Sequence, residues 1–509
     1  MPDFMAASSR VLRAVAWISA ATACSTVPVA RSVAAKPEAT AIAAVPDATM
    51  RSADLLDYGR FPALAPADTD KSYVIPGVEI VTFQVLLNLF DRHFVDEEDY
   101  GSDWSTFKDN LHSGWIIDHD PFATNQVFHP YAGSLYFGFA RTAGHNFWVS
   151  FAYTFIGSAL WEVGGETGRP SLNDQITTGV SGSFLGEALF RIAGGILSSE
   201  DGEEPGFFQE LAAALASPPT FVNRHAFGDR FKNTFPTDDP AVFSRVSLAG
   251  RNNLRVNDGG IGRDLPQNEL VARFVIDYGL PGQPGYHYDE PFDYFHFDFD
   301  VTSGGESTVE NLNARGLLFG DGYGNEDHRG VWGLFGNYSY FSPEVFRVST
   351  TALSFGTIGQ WWISDDVALQ GTALGGLGYG ASGTAASNQV DRDYHYGAIP
   401  QGTLGMRLIF GSLATFELQG RDFYVTGVAS DDHGHGHENI AALQSALTFR
   451  LFEQQTIGVQ VDFARRDAPY STVPSRRQTV GTASLVYSYV FGNTQKRQGA
   501  VEWREGHGR

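Results

Sequence analysis

The stretch Asp293-Tyr294-Phe295-His296-Phe297-Asp298-Phe299-Asp300-Val301 alternates at every step. Phe295, Phe297, Phe299 and Val301 make one face, and Tyr294, His296, Asp298 and Asp300 make the other. A period of two is the strand period, because successive side chains of a β-strand point to opposite sides. The pattern spreads in both directions. Leu270, Ala272, Phe274, Ile276 and Tyr278 oppose Glu269, Arg273 and Asp277. Ile457, Val459, Val461 and Phe463 oppose Thr456, Gly458, Gln460 and Asp462. About twelve such segments begin near residues 242, 269, 292, 309, 331, 346, 367, 398, 413, 439, 456 and 479. Turn-forming clusters such as Asp321-Gly322-Tyr323-Gly324-Asn325 separate most of them.

Two architectures share this period. A soluble sandwich buries its apolar stripe in a dry core, whereas a membrane barrel turns that stripe to lipid and its polar stripe to a wet lumen. Here the polar stripe carries full charges in mid-strand, at Asp298, Arg315, Glu417, Arg421, Arg450 and Asp462. Aromatic residues gather near strand ends, as in Tyr338-Ser339-Tyr340-Phe341 and Trp361-Trp362, where an interfacial girdle is expected. The closing segment 482–491 alternates and ends on Phe491. It resembles the terminal strand that outer-membrane assembly machinery recognises, although a polar tail, 492–509, follows it. The expectation is mainly β: an antiparallel transmembrane β-barrel of about twelve strands over 236–491. Its partners would be outer-membrane lipids and the barrel-assembly machinery.

Composition agrees with that expectation. The 509 residues hold 35 Lys+Arg against 58 Asp+Glu, a formal net charge of -23. Charged residues are sparse at 18% while aromatics reach 13%. Such acidity excludes a nucleic-acid partner, which needs clustered positive charge. A single cysteine excludes a disulfide scaffold and a cysteine-rich zinc site. No phosphate-binding glycine loop occurs, and no cofactor is expected.

Residues 1–23 have the layout of an export signal: Arg10 and Arg13, a short apolar run, then Ala21-Thr22-Ala23. Cys24 follows directly and is a lipidation candidate; the alternative is ordinary cleavage beside an incidental cysteine. Residues 24–70, rich in Ala, Pro, Asp and Thr, read as a disordered linker. No later run reaches the ~20 uncharged apolar residues of a spanning helix.

Residues 71–235 read as a helical domain, with helices expected over 78–94, 131–141, 146–163 and 183–197. Within it stand Trp115-Ile116-Ile117-Asp118-His119-Asp120-Pro121-Phe122, Asn125-Gln126 and His129-Pro130-Tyr131-Ala132-Gly133-Ser134. Trp161-Glu162, Glu166, Pro170-Ser171, Asn173-Asp174 and Gly186-Glu187 follow. This pattern, over roughly 75–195, resembles a family of bacterial envelope proteins defined by a domain of unknown function. The resemblance implies an envelope location and no mechanism.

These polar residues have two readings. Buried charges must be paired or hydrogen-bonded, so Asn173, Asp174, Glu187 and Arg191 form a polar network locking the helices, with Glu187 and Arg191 spaced i,i+4. Ser171 or Asn173 is placed to cap the fourth helix. In the catalytic reading His129 is a base, Ser134 a nucleophile, and Glu162 or Glu166 an orienting group or metal ligand. That would make a membrane-embedded lipid hydrolase or lipid-modifying enzyme, but the His-x-Ser-Asn-Gly motif of outer-membrane phospholipases is absent. His433, His435 and His437 in a Gly-rich loop are weak metal candidates.

The mid-strand charges need partners, so the helical domain is expected as a plug in the lumen or as a periplasmic domain across its mouth. The expected protein is a bacterial outer-membrane barrel with a structural or small-solute transport role. A soluble periplasmic binding module is a third reading.

Overall fold

The computed structural model describes residues 71–503, apart from 119, 199–203, 233–234, 236–239, 261–265, 305–306, 386–392, 428–435 and 472–474. The expected export signal, Cys24 and the expected linker lie outside the described residues.

Alternation does produce a barrel. Its strands are β1 (Val242–Asn257), β2 (Asn268–Tyr278), β3 (Phe295–Thr302), β4 (Val309–Gly324), β5 (His328–Phe341) and β6 (Phe346–Ser364). They continue with β7 (Val367–Thr384), β8 (Tyr394–Phe410), β9 (Ala414–Thr426), β10 (His437–Phe452), β11 (Gln455–Ala468) and β12 (Arg476–Phe491). Each strand pairs antiparallel with the next, and β12 returns to β1 through pairs such as Val246 with Tyr489. Closure leaves no unpaired edge. At the end where β1 begins and β12 finishes, most connections are tight turns, such as 365–366, 411–413 and 453–454. Gly411, at φ 52°, supplies the left-handed turn residue there. Longer loops join the strands at the opposite end, which is the asymmetry of transmembrane barrels.

Pairing places the two stripes as expected. His296, Asp298 and Asp300 face the lumen with Arg273, Arg315 and Arg421. On β10, β11 and β12 the outward side chains are apolar and exposed, among them Leu443, Leu447, Val459, Val461 and Leu485. That distribution is inverted relative to a soluble protein and is the one lipid demands. The sandwich reading is overturned by the closed, polar interior.

The helices are α1 (Ile75–Phe94), α2 (Trp104–His112), α3 (His129–Thr142), α4 (Phe147–Gly164), α5 (Leu172–Leu197), α6 (Phe207–Ala216) and α7 (Pro218–Ala226). Local chemistry starts them. Pro76, Pro130 and Pro218 sit in first turns, where a missing N–H costs nothing. Asn146 accepts the Val149 N–H at the head of α4, and Ser171 accepts the Asp174 N–H at the head of α5. α5 carries a π-helical segment at Thr177–Ser181, and another, Thr124–Phe128, leads into α3. α3 and α5 cross at two glycines. A Cβ on Gly133 would stand 1.9 Å from the Thr178 carbonyl oxygen, and one on Gly182 would stand 2.6 Å from the Gly133 Cα.

The expected position of the helices is corrected. They neither plug the lumen nor close its mouth; they pack on the outer wall over β2 to β8. Phe295 and Phe297, the outward residues of β3, share one buried cluster with Phe184, Leu185 and Ile192 of α5. Gly336 of β5 leaves room for the Phe184 ring, and Gly316 of β4 for Phe292, which stacks on Phe147 of α4 at 5.8 Å. The girdle reading is corrected in part: Tyr338 and Tyr340 face this helical layer, Phe341 faces the lumen and Trp362 points inward against Trp503, while Trp361, Tyr487 and Tyr489 stay outward and exposed.

Candidate functional site

Two polar regions are built into this frame. The first is the junction between the helical layer and the barrel wall near the long-loop end. Ile116 bridges to the head of α5, donating to the Pro170 carbonyl at 2.9 Å and accepting from the Leu172 N–H at 2.8 Å. This holds Asp118 beside Asn173. The Asp118 N–H donates to Asn173 Oδ1 at 3.0 Å, and Asp118 Oδ1 accepts from Asn173 Nδ2 and Asn125 Nδ2, each at 2.8 Å. The barrel answers with tyrosines. Asn173, Asn125 and Gln126 all donate to the Tyr396 hydroxyl, at 2.8, 3.1 and 3.1 Å. Tyr394 accepts from Asn125 and donates to the Asp120 carbonyl at 2.6 Å, and Tyr338 donates to the Gln126 carbonyl. The Arg347 guanidinium lies over the Phe122 ring at 4.3 Å.

The catalytic candidates do not converge. His129 Nδ1 bonds Thr178 Oγ1 at 3.0 Å, with Nε2 at 3.8 Å from Asp174. Ser134 is spent on its own helix, donating to the Tyr131 carbonyl at 2.6 Å. Glu162 accepts the Ser171 N–H at 2.8 Å, and Glu166 accepts from Trp161 Nε1 at 2.9 Å. No hydrogen bond joins Ser134 to His129 among the described residues, so no nucleophile–base pair is assembled. His433 and His435 lie outside the described residues, and His437 stacks on Tyr424 at 5.3 Å. Among the described residues no group of three or more His, Cys, Asp or Glu is placed to hold a metal.

Glu187 and Arg191 belong to a second knot lower on the wall. Glu187 accepts from Arg191 Nε at 2.8 Å, the i,i+4 pair, and also from Arg141 Nε at 2.6 Å and Arg141 Nη2 at 2.9 Å. Arg191 reaches on to the Pro291 carbonyl at 3.0 Å and to Asp293 at 3.1 Å, both in the β2–β3 connection. Sequence reasoning missed Arg141 and the barrel tyrosines. The available signals were a lone arginine inside an apolar helix, and Tyr in place of Phe at 338, 394 and 396.

The second region is the lumen. A cavity of about 230 Å³ is lined by Arg245, Arg273, Asp277, Asp300, Arg407 and Glu417, among others. These charges satisfy one another across the barrel, not through the helices. Arg245 and Arg407 share Glu417, at 3.0 and 3.1 Å, and His296 lies between Asp277 at 2.7 Å and Asp298 at 3.0 Å. Above the cavity, Phe341, Phe346, Val348, Ile399, Phe423 and Ile440 close together into a dry cluster. Below it, the tail after β12 folds across the mouth. Gln370 donates to the Gly499 carbonyl at 2.7 Å, Gln360 to the Val501 carbonyl at 2.7 Å, and Trp503 Nε1 to the Glu326 carbonyl at 2.9 Å. The tail is a structural part of the barrel.

Comparison with known proteins finds one family model over part of the chain and several solved barrels. Residues 114–219 match the model of a domain of unknown function, DUF3943. That segment contains the junction residues from Asp118 to Asp174 and the Arg141–Glu187–Arg191 knot. No curated protein matches the chain. Among solved structures, the NanC porin aligns with 48% of this chain and 98% of its own at 10% identity, with a TM-score of 0.25. An outer membrane channel from Pseudomonas putida F1 aligns with 50% of this chain and 96% of its own at 11% identity, with a TM-score of 0.27. The barrel assignment rests on this chain's own strand pairing.

Proposed function

We propose that this is an outer-membrane protein of structural role, a closed barrel that anchors a helical domain on its outer wall. One observation carries the reading: among the described residues an apolar cluster and the folded-back tail obstruct the lumen towards its two ends, while the outer wall over β2 to β8 is committed to the helices. The obstructions are the Phe341–Phe346 cluster above and the tail from Gly499 to Trp503 below. The junction chemistry fits an anchor. Asn125, Gln126, Asn173, Tyr338, Tyr394 and Tyr396 are engaged in hydrogen bonds that hold the helices to the barrel wall. A planar bilayer containing the full-length protein is the test: no steady conductance is expected, and a persistent open level overturns the closed-barrel reading.

A second reading, passage of small polar solutes, is favoured by the charged cavity between the two obstructions. Liposomes carrying the protein and swelling in a small sugar or amino acid would support it, and unchanged liposome turbidity would remove it.

A further inference from the structure

We infer that the helical domain lies inside the bilayer beside the barrel, with the outer faces of α1 and α4 in contact with lipid acyl chains. The inference rests on the outer-membrane reading of the barrel and goes beyond it, because that reading leaves open what surrounds the helices.

The composition of the outer faces comes first. The exposed side chains of α1 from 78 to 89 are Val78, Val81, Thr82, Val85, Leu86 and Leu89, none of them charged. Its opposite side, with Ile80 and Phe83, is the one packed against Tyr136 and Phe139. On α4 the exposed side chains between 148 and 163 are Trp148, Ala152, Phe155, Ile156 and Leu160, again without a charge. A helix with one face in a protein core normally carries charged and polar residues on the other. These two are apolar on both sides, which is the pattern of a helix between protein and lipid.

Continuity is the second argument. Gln84 of α1 donates to the Gly157 carbonyl of α4 at 2.6 Å, so the two helices lie side by side and their outer faces make one surface. At its lower edge that surface meets the barrel: Trp148 stacks on Phe319, an outward residue of β4, at 5.3 Å. Phe319 is 58% exposed and belongs to the barrel's own apolar exterior. The helical face and the lipid-facing wall therefore meet through an aromatic contact.

Dimensions are the third. α1 has 20 residues and α4 has 18. At ~1.5 Å per residue both approach the ~30 Å hydrocarbon thickness. Charge returns in the last turn of α1, at Asp91 and Arg92, and continues just beyond it at Asp96, Glu98 and Asp99. α5, 26 residues long, packs on the barrel wall itself, with Phe184, Leu185 and Ile192 in the cluster that holds Phe295 and Phe297 of β3. Water would have to wet the whole α1–α4 face if the domain stood in the periplasm; acyl chains cover it at no cost.

The test is spin labelling of the full-length protein in phosphatidylcholine–phosphatidylglycerol vesicles. Cys24→Ser removes the native thiol, and single cysteines are placed at Val85→Cys and Leu160→Cys. Leu443→Cys on the barrel exterior and Ser105→Cys in α2 are the lipid and water references. Collision with oxygen, which concentrates in lipid, and with a nickel chelate, which stays in water, is read at each site. Both helical sites are expected to match Leu443, with high oxygen and low nickel collision. Nickel collision at the Ser105 level overturns the inference in favour of water. Low collision with both overturns it in favour of a covering protein, whether a partner or a second copy. If Leu443 itself is open to nickel, the outer-membrane reading fails instead. Quenching of tryptophan fluorescence by brominated lipid, compared with Trp148→Phe, gives an independent readout without a cysteine. Loss of a quenched component on that substitution is expected, and an unchanged quenching profile counts against lipid at α4.

Discussion

Glu187 is fully buried and carries one negative charge against two guanidinium groups. Arg191 has a second acidic neighbour in Asp293, so Arg141 depends on Glu187 for charge and on the Phe190 ring, 4.8 Å away, for packing. Breaking one partner of a buried ion cluster costs about 3–5 kcal/mol, because the remaining charge is stranded out of water. Glu187→Gln keeps the size and removes the charge. The expected outcome is a lower urea midpoint for protease resistance of the helical domain, while the barrel keeps its heat-modifiable migration in SDS gels. An unchanged midpoint would show that the cluster does not couple helices to barrel. This residue also marks how far local reading goes. The i,i+4 spacing of Glu187 and Arg191 was legible because both lie on one helix. Arg141 and Asp293 come from another helix and from a strand connection, and sequence distance carries no trace of their meeting. The same holds for Tyr394 and Tyr396, which look like girdle aromatics until Asn125 and Asn173 are set against them.

Elements were the most legible scale. The alternating runs begin within a few residues of the observed strands, since a period of two survives whatever the face touches. The helices expected at 131–141 and 183–197 likewise sit inside α3 and α5, and that at 146–163 matches α4 with Asn146 as its N-cap. What each face touches was not legible. Phe295 and Leu443 are both outward and apolar, yet one meets α5 and its neighbours while the other stays exposed. Periodicity separates inside from outside and does not separate lipid from protein. Glycine spacing carried more than was drawn from it. Gly133 and Gly182 allow α3 and α5 to cross backbone against backbone, and Gly182→Ala would set a methyl against the Gly133 Cα. A backbone neighbour cannot rotate away, so the helices must separate, and overpacking of this kind costs ~1–3 kcal/mol. Thermal melts followed by circular dichroism at a helical wavelength should show a lower transition for Gly182→Ala than for Gly195→Ala, where the added methyl meets open space. Equal transitions would mean that the crossing is not a point of tight packing.

At the scale of the whole molecule the lumen is obstructed twice among the described residues, by unlike means. The upper obstruction is side-chain packing between Phe341, Phe346, Ile399 and Phe423, continuous with the strands and bought by no separate segment. The lower obstruction is a strip of chain after β12 that crosses the mouth on hydrogen bonds to Gln360 and Gln370 and on the Trp362–Trp503 contact. Asn493 and Thr494 are part of the β1–β12 junction: Asn493 accepts the Val242 N–H at 2.7 Å and donates to the Pro240 carbonyl at 2.8 Å, and Thr494 Oγ1 donates to the Val242 carbonyl at 2.8 Å, so the strip can be removed after Thr494. Obstructions in series act like resistances in series: opening one leaves the other in control. Deleting residues 495–509 should therefore leave planar bilayers silent, and Phe341→Ala with Phe346→Ala should do the same. The deletion combined with both substitutions should conduct, with weak ion selectivity, because Arg245, Arg273 and Arg407 are balanced by Asp277, Asp300 and Glu417 along the cavity wall. Current from the deletion alone would show that the aromatic cluster does not exclude ions, and silence in the combined variant would place a third barrier among the paired charges between them.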